Sequence, residues 1–173
     1  MKKVKKFVSL ILAAVMVMAM SVVAFADDGT QGTTTAKGTI TVENPKEGES
    51  YTAYKIFDVT YSNGKDAYAY TITSDSEWYI DVDNYTGITL DPVNGTTQYI
   101  VEKAAGFNAA DFANYLKGKT TGKQGNTLKN TNGVAKAENL DFGYYFVSST
   151  SGALCNLTTT DPTATIHDKN DVP

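Results

Sequence analysis

The sequence predicts a mainly β domain, a β-sandwich of short strands with one short helical insertion. Short runs of alternating apolar and polar residues recur between Gly-containing turns, and the pair Asn63-Gly64 separates two aromatic-rich runs. A single stretch, Ala109 to Leu116, carries helical periodicity.

The chain opens on a processing segment. Lys2, Lys3, Lys5 and Lys6 precede an apolar run from Phe7 to Met20, and Ala24-Phe25-Ala26 precedes Asp27-Asp28. A basic start, an apolar centre and a small-x-small site in that order read as a secretory signal peptide over residues 1–26, cleaved after Ala26 with Ala24 and Ala26 as the small residues of the site. Residues 27–37 (DDGTQGTTTAK) are Gly- and Thr-rich with no apolar period and are expected to form a flexible leader. The β-sandwich is expected over 38–168, with 169–173 as the start of a linker to a missing downstream domain.

Within the domain, Gly38 to Glu43 alternates and puts Ile40 and Val42 on one face. Tyr51 to Tyr61, Asn63-Gly64 and Asp66 to Thr73 read as a hairpin, because Asn-Gly supplies the positive φ that a two-residue turn needs. That turn would set Val59 opposite Tyr68 and Phe57 opposite Tyr70, both favourable cross-strand pairs. Alternation also places Lys55 on the face of Phe57 and Val59. Thr97 to Val101 is a short strand, and Ala109 to Leu116 a helix with Asn108 as N-cap and Ala109, Phe112, Ala113 and Leu116 as its apolar stripe. Lys117 to Asn132 is polar, Lys-rich and loop-like. Leu140 to Ser148, Ala153 to Leu157 and Ala164 to Ile166 are strand-like.

Composition narrows the function. The chain has 173 residues, 15 Lys, no Arg, 19 acids, one Cys and one His. Absence of Arg and an acidic balance argue against nucleic acid, where a basic patch and bidentate Arg contacts are expected. The lone Cys155 excludes an intramolecular disulfide, and the lone His167 excludes His-rich metal sites, so no metal or cofactor is expected. Without its signal peptide the chain keeps 147 residues and a net charge of −8, enough for one good core. Asp81-Val82-Asp83-Asn84 begins like a calcium loop, but Tyr85, Thr86 and Pro92 stand where that loop needs a ligand, a Gly and a Glu. A solvated turn is expected there. Cys155 reads as a buried small apolar residue and His167 as a surface histidine. No paired acids, nucleophile context or metal cluster suggests catalysis, so the protein is not expected to be an enzyme. Eleven tyrosines admit two readings, half-buried strand packing or an aromatic platform for a glycan or protein ligand.

The blocks GTITVENPKEGESYTAYKIFDV (38–59), LDFGYYFVSST (140–150) and ATIHDKNDVP (164–173) together resemble the N-terminal domain of Gram-positive fimbrial (pilus) shaft proteins, the sortase-assembled, isopeptide-forming pilins. The resemblance implies an immunoglobulin-like sandwich related to the collagen-adhesin B-type fold, a cell-surface or cell-wall location, and neighbouring subunits and a sortase as partners, with no membrane contact after signal cleavage. Because no LPxTG-type motif or second apolar segment follows, the chain is expected to be an N-terminal fragment or a truncated gene product.

The resemblance also implies two lysine chemistries. An intramolecular isopeptide needs a desolvated lysine, an Asn or Asp electrophile and a nearby acid. The family register puts Asn44 at the lysine position, Ser149 near the acid and Asp168 near the electrophile. Lys55 is the substitute lysine, and with two roles unfilled the bond is expected to be absent. In the family a Lys-Asn pair preceded by Tyr-Pro accepts a sortase-bound neighbour. Here Asp168-Lys169-Asn170 keeps only the Lys-Asn half, which makes Lys169 and Asn170 the candidate acceptor. The resulting expectation is a non-catalytic structural subunit of a pilus or adhesive fimbria. The alternative is a standalone secreted adhesin that recognises a host glycan or protein through surface tyrosines.

Overall fold

The run Gly143–Ser148 (GYYFVS) is buried at every position through Val147, which a sheet covered on one face only cannot accommodate. The computed structural model, which describes residues 36–61, 67–148, 152–158 and 161–167, shows how both faces are covered. Its elements in order are β1 (Gly38–Glu43), β2 (Thr52–Tyr61), β3 (Tyr68–Thr73), α1 (Tyr79–Asp83), β4 (Ile88–Pro92), β5 (Gln98–Lys103), α2 (Ala109–Lys117), β6 (Asn126–Thr127), β7 (Lys129–Thr131), β8 (Val134–Leu140), β9 (Gly143–Ser148), β10 (Ala153–Leu157) and β11 (Thr163–His167). A four-stranded sheet runs β11-β1-β8-β7, and a seven-stranded sheet runs β10-β9-β2-β3-β5-β4 with β6 also on β2.

The two sheets pack face to face in a sandwich-like arrangement, and the seven-stranded sheet is covered on its other face as well. One core lies between the sheets, where Ile40, Val42, Ala135, Ala137 and Leu140 meet Ala53, Tyr145, Val147, Cys155 and Leu157. The second holds Ile56, Phe57, Tyr144, Phe146 and Leu154 against Trp78, Val82, Phe112, Ala113 and Leu116 of the helical layer. Successive residues of β9 therefore alternate between two cores rather than between core and water.

Several sequence expectations change. The β2–β3 hairpin pairs Val59 with Tyr70 and Tyr61 with Tyr68, a two-residue shift from the pairing that a turn centred on Asn63-Gly64 requires. A shift of two preserves the faces, and the Phe57 and Tyr70 rings still meet at 6.4 Å. The Asn-Gly turn itself lies outside the described residues. Secondly, the β2–β9 register slips between Lys55 and Phe57. This bulge sends Ile56 and Phe57 both into the second core, so Lys55 does not share a face with Phe57. Thirdly, the described residues contain two short helices, not one insertion. The Asp81-Val82-Asp83 segment is helical rather than a solvated turn, and the Asp81 carboxylate pairs with Lys123 at 2.6 Å and Lys119 at 3.7 Å. The Lys-rich stretch 117–132 likewise contributes β6 and β7.

Other local expectations hold. Asn108 caps α2, its Oδ1 accepting from Ala110 N at 2.9 Å and Asp111 N at 3.1 Å. Phe112, Ala113 and Leu116 are buried. Cys155 is buried as well, and burial pushes its thiol up to about 12.

Candidate functional site

Lys55 projects from β2 directly opposite Tyr145 of β9, and opposed residues share a face, so its stem follows the edge of the core between the sheets. The stem passes so close to Gly143 that a Cβ there would meet Lys55 Cδ at 3.0 Å and the Phe57 carbonyl oxygen at 2.5 Å. Its amine pairs with Asp58 Oδ1 at 2.6 Å, with 33% of the side chain exposed. Asp141 belongs to the same cluster: the Lys37 hydrogen bond holds its carboxyl below the usual carboxylate range, with Lys55 adding to the effect. An isopeptide-forming lysine needs an amine that is desolvated and free to attack. An ion-paired, partly wet amine lacks both properties.

The topology also separates Lys55 from the end of the last strand. Because Lys37 bonds Asp141, this cluster sits at the Gly38 end of β1. His167, the last residue of β11, pairs with Glu43 at the other end of β1, about 16 Å away at the usual rise per residue. There His167 Nδ1 lies 3.1 Å from Glu43 Oε2, and both side chains are exposed. Asn44 follows at once with φ 51°, a left-handed conformation that Asn tolerates. It faces solvent, where the family register would seat a buried lysine. Asp168, Lys169, Asn170 and Ser149 lie outside the described residues, as do Ala24, Ala26 and the rest of the signal segment.

Sequence reading missed a cluster on the helical layer. Lys123 Nζ stands 4.7 Å from the centre of the Trp78 ring, donates to the Glu77 carbonyl and pairs with Asp81 Oδ2. The Glu77 carboxylate accepts from the backbone N–H of Gln124. These contacts tie the Lys-rich segment to α1. Trp78 Nε1 is the one buried side-chain polar atom without a hydrogen-bond partner among the described residues. No periodicity announces the cluster, because its members come from two segments over forty residues apart.

The tyrosines divide. Tyr51, Tyr61, Tyr70, Tyr144 and Tyr145 are buried. Tyr54, Tyr68, Tyr79, Tyr85, Tyr99 and Tyr115 are half-buried. Tyr79 and Tyr99 stack obliquely at 5.2 Å, and the hydrogen bond between their side chains pushes the Tyr79 phenol up to about 12. Beside Tyr79, Ile80 is 65% exposed, the one exposed large apolar side chain among the described residues. No group of three or more His, Cys, Asp or Glu side chains poised to hold a metal ion occurs among the described residues, and none of their helices is long and apolar enough to cross a membrane. No protein-family model matches the chain, and no curated protein matches it.

Proposed function

We propose that this chain is the N-terminal domain of a structural, non-catalytic subunit of a cell-surface pilus or adhesive fimbria, exported by its signal peptide and joined to neighbouring subunits by a sortase. In this reading the sandwich is immunoglobulin-like, related to the collagen-adhesin B-type fold. One observation carries the proposal beyond the sequence resemblance: β1 and β11 run parallel side by side. The chain therefore enters the domain at one end of this pair and leaves at the other, an arrangement suited to units strung end to end. The acceptor is Lys169, two residues beyond the exposed His167. A lysine amine is ordinarily protonated at neutral pH, so the sortase must supply the base.

Incubation of the chain with its cognate sortase and a sorting-signal donor tests this. A covalent adduct is expected with the native sequence and none with Lys169→Arg, since Arg keeps the charge but cannot act as the nucleophile. Undiminished adduct in the variant overturns Lys169 as acceptor, and no adduct with the native chain overturns the sortase-substrate reading. The exposed Ile80 beside the Tyr79–Tyr99 pair favours one second reading, a secreted adhesin that binds a host glycan or protein through this aromatic patch. Retention of the chain on a glycan or host-matrix array, lost in Tyr99→Ala, distinguishes that reading.

A further inference from the structure

We infer that β1 and β11 form a mechanical clamp, loaded in shear when tension reaches the domain through its flanking segments. This goes beyond the subunit reading and does not depend on which enzyme joins the chain. The register is Thr39↔Thr163, Ile40↔Ala164, Thr41↔Thr165, Val42↔Ile166 and Glu43↔His167, all parallel. Tension entering upstream of Gly38 draws β1 toward its start, and tension leaving beyond His167 draws β11 toward its end. The two strands slide past each other along their axes, so the bridging hydrogen bonds bear the load together. If both strands were pulled from the same end, the bonds would open one after another. The elements between β1 and β11 are bypassed, because force crosses directly from one strand to the other.

Packing opposes the slide. Ile40 and Val42 are wholly buried, and Ala164 and Ile166 pack against the same core. A one-residue slip would turn these side chains to the wrong face, and a two-residue slip would draw Ile166 off the core. Gly38 brings the backbones close at the start of the ladder, where a Cβ would meet Pro162 O at 2.8 Å and Leu157 Cδ1 at 2.7 Å. The Thr39 N–H donates to Pro162 O at 3.0 Å. In a parallel ladder of this register, that bond aims the Ala164 and Ile166 N–H groups at β1 and the Thr165 N–H away from it. β8 pairs with the other edge of β1 and anchors it in the sheet.

The test is single-molecule force spectroscopy in two geometries. In the first, handles are attached upstream of Gly38 and downstream of His167. In the second, they are attached upstream of Gly38 and at Asp161→Cys, just before β11, so the same ladder is peeled from one end. Buried Cys155 leaves the introduced thiol as the reactive one. The first geometry is expected to need at least about twofold more force, since forced unfolding follows the barrier to rupture rather than equilibrium stability. Equal forces overturn the clamp. Ala164→Pro removes an inward N–H and is expected to lower the shear force. Thr165→Pro removes an outward one, which an edge strand tolerates, and is expected to leave the force near that of the native chain. Loss in both variants alike, with β circular dichroism retained, also overturns the proposal. The geometry comparison uses the native ladder and stands even if a proline variant fails to fold.

Discussion

Asn108 and Phe112 sit one turn apart on α2 and contribute in different ways. Asn108 satisfies two amides at the helix start, a role that Ala cannot fill. Asn108→Ala is expected to lower unfolding free energy by about 1 kcal/mol. Phe112 is wholly buried, with the Phe57 ring stacked at 6.2 Å and the Tyr85 ring at 4.8 Å. Phe112→Ala leaves a cavity in the second core and is expected to cost about 3–5 kcal/mol. Urea denaturation of both variants checks the order, and a cap variant as damaging as the core variant would refute this account of α2. Both residues were legible from spacing alone, because a cap and a helical stripe are local patterns. Trp78 and Lys123 were not, since nothing local to either residue reports the other.

At the scale of elements, the segment from Lys119 to Gln124 is fastened to α1 by unequal lysines. Lys123 is nearly enclosed, 14% exposed, and lies 2.6 Å from Asp81, whereas Lys119 is 42% exposed and 3.7 Å away. Lys119→Ala removes a wet ion pair and an exposed cation 5.2 Å from the centre of the Tyr115 ring, and is expected to cost at most about 1 kcal/mol. Lys123→Ala also strips a cation from the face of Trp78 and leaves the Glu77 carbonyl without this donor, so a loss of about 1–3 kcal/mol is expected. Thermal melts of the two variants measure the difference, and equal losses would show that the fastening lies elsewhere. β8 taught a different lesson about legibility. Its inward residues are Ala135, Ala137 and Leu140, and Lys and Glu lie between them, so its composition speaks for helix. Its pairing with β1 and the core between the sheets override that preference.

At the scale of the molecule, buried hydroxyls and the thiol set how the fold responds to alkali. Burial raises the Tyr70, Tyr144 and Tyr145 phenols above their ordinary 10.0, and burial raises the Cys155 thiol from 9.0 to about 12. The unfolded chain releases these protons first, so above about pH 9 it binds fewer protons than the folded chain and stability falls as pH rises. Below that window these groups contribute no pH dependence. Chemical denaturation between pH 7 and 12 should show the decline, with a shallower slope in Tyr144→Phe, and a flat profile would contradict the burial of these groups. Intact mass tests the processing and the covalent state together. The exported chain is expected to begin at Asp27 and to match its plain sequence mass. A deficit of about 17 or 18 Da would reveal a lysine amide formed with loss of ammonia or water.

By itself the sequence determined the β class, the extents of β1 and β10, the cap and stripe of α2, and the burial of Cys155, because each depends on neighbours a few residues away. The hairpin register escaped it, since Asn63-Gly64 offers a turn while Tyr61, Tyr68 and Tyr70 settle their pairing within a wider sheet. The bulge after Lys55 escaped it too: alternation assumes an unbroken pleat, and only the β9 partner and the second core require Ile56 and Phe57 on one side. Tertiary structure alone decided that Lys55 and the end of β11 sit at opposite ends of β1, and that β1 and β11 lie parallel. Both follow from long-range strand pairing: alternation marks which face of β1 is buried, but not which strand lies beside it or in which direction that strand runs.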